Sequence, residues 1–229
     1  MHSSFFHAHR LGYRRNPFGA LETEEWTAVS FLPIALEELL DQSPVHLQLL
    51  GPKGVGKSST MHRLLAHERA RGTAAAYEYI PEGQHRFTSD LRGLDCFLLD
   101  EAQRLNWRER RRWLQHAKRD SGADGLRFII ASHRDLRRIF HRRGLPLASF
   151  DLATAVSPAY YQRWLDRRLD FFALSDQPRL TLAADAAAWL YAAFGRDMRE
   201  AEYFLYDVWQ ETPAPRRLSA ADLAIFRPD

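Results

Sequence analysis

The sequence predicts an α/β fold with a parallel five-stranded sheet between helical layers, followed by a small all-helical domain. Three observations carry this. Five short apolar runs alternate with helix-like stretches of about 10 to 15 residues up to residue 156. From Ser157 onward every segment has helical periodicity. Finally, a glycine-rich turn follows the first apolar run directly, as in a strand–loop–helix unit.

Residues 1–15 are polar, with His2, His7, His9 and the Arg14-Arg15 pair, and read as a solvated tail. Thr27 to Gln42 reads as a helix with Leu32, Leu36, Leu39 and Leu40 on one stripe. Val45 to Leu50 is the first strand, and Ser58 to Arg71 the helix after the glycine-rich turn. Ala74 to Ile80 is the second strand, and Phe87 to Leu94 is read as a single helical turn. Asp95 to Asp100 is apolar throughout its centre, as a strand covered on both faces requires. A helix over Asn106–Arg119, a strand over Leu126–Ser132, a helix over Asp135–Arg143 and a strand over Leu147–Ala153 complete the core. In the helical segment, Ser157 caps a helix that opens with Pro158 and runs to Leu174. Ala183–Phe194, Asp197–Gln210 and Ser219–Ile225 are the later helices. The expected organisation is a tail (1–15), a core (16–156) and a helical lid (157–229).

Composition sets outer limits. A lone cysteine, Cys96, excludes a disulfide framework and fits a reducing compartment. No apolar run approaches the ~18 residues of a membrane span, so a cytoplasmic location is expected. Thirty-two basic against 29 acidic residues give a net charge of +3, too mild to indicate nucleic-acid binding by itself. The basic residues are nearly all arginine. Two of the three lysines, Lys53 and Lys57, fall in the glycine-rich turn.

That turn, Gly51-Pro52-Lys53-Gly54-Val55-Gly56-Lys57-Ser58-Ser59, matches G-x-x-x-x-G-K-[ST]. Its glycines let backbone N–H groups converge on phosphate oxygens. Lys57 reaches the β- and γ-phosphates, Ser58 offers a hydroxyl to Mg²⁺, and the next helix presents its positive end. The core is therefore read as a P-loop NTPase. Phe97-Leu98-Leu99-Asp100-Glu101 ends a strand in two carboxylates at the edge where α/β sheets place ligands. Asp100 suits the metal ion, and Glu101 suits the general base that polarises a water. The strand Phe128 to Ser132 ends in Ser132 and His133, either of which suits sensing the terminal phosphate; Ser132 alternatively caps the next helix.

Together these motifs resemble the AAA+ ATPases over roughly residues 16 to 210. Two details resemble their initiator-type clade, which includes origin-recognition, transposition-helper and secretion-associated ATPases. Asn16-Pro17-Phe18 is similar to an entry segment that lies against adenine, and Gly195 to Glu200 is similar to the sensor-2 turn. The resemblance implies ATP and Mg²⁺ as cofactors, a homo-oligomer, and Arg199 reaching the γ-phosphate from the lid. It also implies an arginine finger acting on a neighbour's nucleotide, with Arg142 and Arg143 matching its position best among five clustered arginines. A partner protein is expected, with nucleic acid as a further partner and no membrane. The flanking run Trp107 to Trp113, rich in arginine, reads either as a nucleic-acid grip or as a buried stripe of Trp107, Leu114 and Ala117 with wet arginines behind it. Two other functions fit the same loop. One is a monomeric nucleotide-gated interaction module with negligible turnover. The other is a P-loop kinase, disfavoured by the Asp-Glu pair.

Overall fold

A computed structural model describes residues 3–43, 45–119, 124–175 and 177–227. In chain order the helices and strands begin with α1 (Ser3–Arg10), α2 (Thr23–Val29), α3 (Ile34–Asp41), β1 (His46–Leu50) and α4 (Lys57–Ala70). Next come β2 (Ala75–Tyr79), β3 (Cys96–Asp100), α5 (Trp107–Gln115), β4 (Arg127–Ser132), α6 (Arg137–His141) and β5 (Leu147–Asp151). The chain ends with α7 (Pro158–Phe172), β6 (Thr181–Leu182), α8 (Ala186–Phe194), α9 (Met198–Glu211), β7 (Arg217–Leu218) and α10 (Ala220–Phe226). It divides into two compact units: Phe31–Ala155, and the residues up to Ser30 together with those from Val156.

The first of these is the α/β unit. Its sheet has the order β2-β3-β4-β1-β5, with every pairing parallel. β4 is inserted between β1 and β3, so the turn after Ser132 emerges between the loop after Leu50 and the turn after Asp100. The central strands β3 and β4 read as nearly continuous apolar runs because both faces are covered. On one face Leu47, Leu49, Leu98, Ile129 and Ala131 meet Leu36 of α3 with Met61 and Leu64 of α4. On the other, Phe97, Leu99, Phe128 and Ile130 meet Trp113 and Leu114 of α5 and Phe140 of α6.

Polar side chains are buried here too, among them His46 and Gln48. His46 is fully buried; its Nδ1 accepts the Phe128 N–H (3.0 Å) and its Nε2–H donates to the Lys118 carbonyl (2.8 Å). Burial pushes the imidazole pKa down to about 4. Gln48 is equally buried. Its Nε2 donates to Arg134 O (3.2 Å), and its Oε1 accepts Leu136 N–H (3.0 Å). It thus fixes the turn that leaves β4.

The helical unit is assembled from both chain ends. α7 contacts α8, α2 contacts α7, and α1 contacts α9. Ala8, Leu11, Tyr13 and Phe18 are buried in it. Arg168 on α7 is its central polar residue, 1% exposed. The guanidinium donates to Pro17 O, Gly19 O and Glu202 Oε1, and lies 5.6 Å from the Phe18 ring centroid.

Several sequence expectations are corrected. Residues 3–15 are not a solvated tail: α1 is helical, His7 Nε2 hydrogen-bonds Trp209 O (2.9 Å), and Tyr13 O–H donates to Leu180 O (2.5 Å). His2 lies outside the described residues. The helix expected over 27–42 is two helices in different units, broken at Ser30–Pro33; Pro33 keeps the preceding residue out of the helical region. Residues 16–30 consequently fall with the helical unit rather than with the core. Phe87 to Leu94 forms no helical turn, because the Glu78 carboxylate accepts Thr88 N–H, Thr88 O–H and Ser89 N–H and satisfies that backbone instead. The helix over Asn106–Arg119 stops at Gln115, since Ala117 pairs with Leu126 as an extended bridge.

Candidate functional site

The site is built at the C-terminal edge of the sheet in the α/β unit. Leaving β1, Gly51 takes φ +147°, and a β-carbon there would stand 2.8 Å from Val55 Cγ1. Val55 is fully buried and pins the loop, while Pro52 and Lys53 are exposed on its crest. Gly56 caps α4 in the left-handed region (φ 93°), where a side chain is strained. Lys57 opens α4 and is 5% exposed; its Nζ donates to Gly51 O (2.8 Å) and Pro52 O (2.7 Å). The ammonium is thereby held under the loop rather than free in solvent. Ser59 is half-buried one position beyond Ser58.

Ser58 O–H donates to Asp100 Oδ2 at 2.6 Å, joining the loop to β3. Asp100 is fully buried and also accepts Tyr77 O–H on Oδ2 (3.2 Å) and Glu101 N–H on Oδ1 (2.8 Å). Burial raises the Tyr77 hydroxyl pKa, and the adjacent Asp100 carboxylate adds to the rise. His62, whose ring lies 4.5 Å from that of Tyr77, is held below the usual histidine range by burial, against the pull of Asp100. A hydroxyl and one carboxylate are a hard-oxygen pair suited to Mg²⁺, which takes one or two carboxylates and completes its shell with phosphate oxygens and water. Among the described residues no cluster of three or more His, Cys, Asp or Glu forms a metal cage. The donor set therefore fits a cation that arrives with a phosphorylated ligand.

Glu101 sits in the left-handed region (φ 59°, ψ 37°), a costly conformation for a non-glycine residue. The strain turns its carboxylate into a cluster. Oε2 accepts from Gln103 Nε2 (2.5 Å) and lies 3.4 Å from Arg104 Nε; Oε1 lies 3.1 Å from His133 Nε2. His133 Nδ1 is 3.2 Å from Lys57 Nζ and 3.0 Å from Gly51 O. A histidine carrying its proton on Nε2 satisfies Glu101 and accepts from Lys57 at once. The imidazole thus links the phosphate loop to Glu101, as the insertion of β4 between β1 and β3 permits.

Ser132 behaves differently. It is fully buried, its Oγ accepts Arg134 N–H (2.9 Å), and it donates back to Arg134 O (2.7 Å). Its hydroxyl is used within its own turn. Arg142 and Arg143 are exposed between α6 and β5. They precede Leu147, which pairs with His46 at the start of β1, so they lie at the sheet edge opposite the phosphate loop. Asn16, Pro17, Phe18 and Arg199 belong to the helical unit. Phe18 is buried there, 4.8 Å from the Trp209 ring and 5.7 Å from that of Trp164. Asn16 Oδ1 accepts Phe18 N–H (3.0 Å), and its Nδ2 donates to Tyr206 O (3.0 Å). Arg199 is exposed in the first turn of α9.

Sequence reasoning missed Tyr77, Gln48, Gln103 and Arg104. Tyr77 is legible only through the strand register, because Tyr79 pairs with Asp100 and Tyr77 lies two residues back on the same face. Gln48, polar within an apolar run, was the one visible signal among them.

The fold and site define a P-loop NTPase architecture: a parallel sheet, a phosphate loop after β1 and a hydroxyl–carboxylate pair between α4 and β3. Solved structures of the Thermotoga maritima RuvB Holliday junction branch migration motor share the fold, with a TM-score of 0.55 and 18% identity over 84% of this chain. A proline-to-glycine mutant of that motor matches over 92% of this chain, with a TM-score of 0.53 and 18% identity. This chain spans 65% of the first and 71% of the second. No family model and no curated protein sequence matches. Among the described residues no helix is long and apolar enough to cross a membrane.

Proposed function

We propose that this chain is an ATP-hydrolysing AAA+ protein that acts as an oligomeric helper or switch for a DNA-associated process. The observation that carries the reading is the continuous polar chain from Lys57 and Ser58 to Asp100, Glu101 and His133. Lys57 binds the β- and γ-phosphates, with the N–H groups of Lys53 to Ser59 around them. Ser58 and Asp100 hold Mg²⁺, which supplies charge neutralisation on the phosphate oxygens. Glu101 accepts the proton of the attacking water, so that one O–P bond forms as the γ-phosphoryl leaves ADP. His133 senses the terminal phosphate, because its imidazole bridges Lys57 and Glu101 while Ser132 is taken up by its turn.

Arg142 and Arg143 point to oligomeric action. At the opposite sheet edge from their own phosphate loop, they suit a neighbour's nucleotide rather than their own. Arg199 and the Asn16-Pro17-Phe18 segment are assigned to nucleotide sensing from the helical unit and to the adenine side, respectively. The likeness to a DNA branch-migration motor supports a DNA-associated role.

One observation favours a second reading, a nucleotide-gated module with negligible turnover. Gln103, Arg104 and His133 together engage both oxygens of Glu101, which restrains the base. The deciding measurement is ATP hydrolysis per molecule across a wide range of protein concentration. A specific rate that rises with concentration and falls on replacing Arg142 and Arg143 by alanine supports the ATPase assembly. A rate near zero throughout, with tight ATP binding, supports the module.

A further inference from the structure

We propose that the outer face of α5 binds single-stranded polynucleotide, with Trp107 stacking an unpaired base and Arg108, Arg111 and Arg112 holding the phosphates on either side. The inference goes beyond the ATP reading and does not depend on it.

The face differs from the stripe that the sequence suggested. Trp113 and Leu114 carry the buried side, at 1% and 5% exposure, and Trp113 packs edge-on against Phe128 with ring centroids 4.8 Å apart. Trp107 is 68% exposed. It shares its outward arc with Arg108, Arg111, Arg112 and Gln115, all exposed, at the i, i+1, i+4, i+5 and i+8 spacing of one helix face. A large aromatic in water flanked by three guanidinium groups has no packing role in the α/β unit.

The charges on this face are available. Glu109, the sole acid of the helix, is turned inward with 18% of its side chain exposed, and its contact with Arg112 is long at 3.9 Å. Arg108 lies 5.4 Å from the Trp107 ring centroid, and with that contact made the indole is still mostly exposed. Beside the helix a depression of about 520 Å³ is lined by residues 87–92, Arg112 and His116; Arg92 is paired there with Asp90 (2.7 Å), so Arg112 is its uncommitted guanidinium. Arg112 stands over the Phe87 ring there at 5.6 Å. Aromatic surface interleaved with arginine is the chemistry of sequence-tolerant single-strand binding. A duplex offers its phosphates to such a face but no free base plane, so an exposed indole specifies an unpaired strand.

The test is fluorescence anisotropy of labelled 20-residue oligothymidylate, oligouridylate and a duplex with the full chain, without nucleotide and with ADP. Either single strand binds more tightly than the duplex, and the preferred one tells DNA from RNA. Trp107→Ala weakens binding about ten-fold, whereas Trp107→Phe stays within about three-fold. Replacing Arg108, Arg111 and Arg112 together by serine lowers the slope of log affinity against log salt by about 2. Unchanged melting and ATP binding in these variants show that they fold. The proposal is overturned if neither strand binds, if Trp107→Ala binds as the parent does, or if polyglutamate displaces the strand equally well at matched charge. That last result assigns the face to an acidic protein. Because no arm requires hydrolysis, an inactive ATP site leaves this result standing, and an active one does not rescue it.

Discussion

The α/β unit and the helical unit use buried polar groups for opposite ends. In the α/β unit one group of them gathers at the C-terminal sheet edge: Lys57, Asp100 and Glu101 are buried or nearly so, and each is linked to the next through Ser58, His133 or the backbone. In the helical unit Arg168 is as deeply buried, yet its partners are two backbone carbonyls and Glu202. Under the proposed function, the first arrangement presents charges to a phosphorylated ligand. The second ties the segment around Pro17–Gly19 to α7 and α9. Burial of charge is therefore informative about function only together with where the remaining valences point.

The largest expected effects separate the two uses. Glu101→Gln keeps the hydrogen-bonding shape and removes the base, so turnover falls about 10²- to 10⁴-fold while ATP binding and melting are retained. Lys57→Ala loses ATP binding with little change in melting. Steady-state hydrolysis and a fluorescent-nucleotide titration check both, and wild-type turnover in Glu101→Gln removes Glu101 from the mechanism.

Arg168→Ala is the matching change in the helical unit. Removing that side chain costs about 3 kcal/mol, because the Pro17 and Gly19 carbonyls lose their donor and the half-buried Glu202 keeps only the more distant Arg199. Burial already dominates both partners, lowering the guanidinium pKa and raising the Glu202 carboxyl above its ordinary range. Chemical denaturation followed by tryptophan fluorescence shows this loss. An equally stable variant makes the pair ornamental and breaks the contrast.

His46 belongs to the α/β unit but acts as a structural group. Its folded pKa of about 4 lies below the unfolded value of about 6.5, so the unfolded chain binds the extra proton. Its contribution is fully present above pH 6.5 and is lost as pH falls toward 4, about 2 kcal/mol by pH 5. Denaturation curves at pH 7.5 and 5.0 measure the loss, and His46→Gln flattens the difference.

The same contrast explains which features were legible in the sequence. Strand runs and the phosphate loop are local, and each of the five strands lies where its apolar run predicts. Glu101 was visible as one of two acids at the end of β3, but its partners Gln103, Arg104 and His133 depend on a backbone turn in the left-handed region. The helical unit was less readable because it joins residues 3–30 to 156–227. α1 reads as polar because its helix is short, and the residues that anchor it, Leu11 and Tyr13, find their partners near residue 180. Trp107 misled for a geometric reason: it lies at the border between Leu114's stripe and the exposed arc, two turns before Leu114, and at the first helical position it remains solvent-exposed.

The smallest effect bears on the pair that the sequence left open at the end of β4. Ser132 closes a two-residue turn through both hydrogen bonds to Arg134, so Ser132→Ala costs about 1 kcal/mol of stability. It changes turnover little, because the Gln48 bonds to Arg134 and Leu136 still fix the turn. His133→Ala does the reverse. It leaves stability nearly unchanged, since His133 is partly exposed, but it cuts the link between Lys57 and Glu101 and lowers turnover at saturating ATP. A Ser132→Ala enzyme that binds ATP normally yet fails to hydrolyse it moves the sensing role to the hydroxyl, and the 3.1 Å contact between His133 and Glu101 then serves only to hold the carboxylate in place.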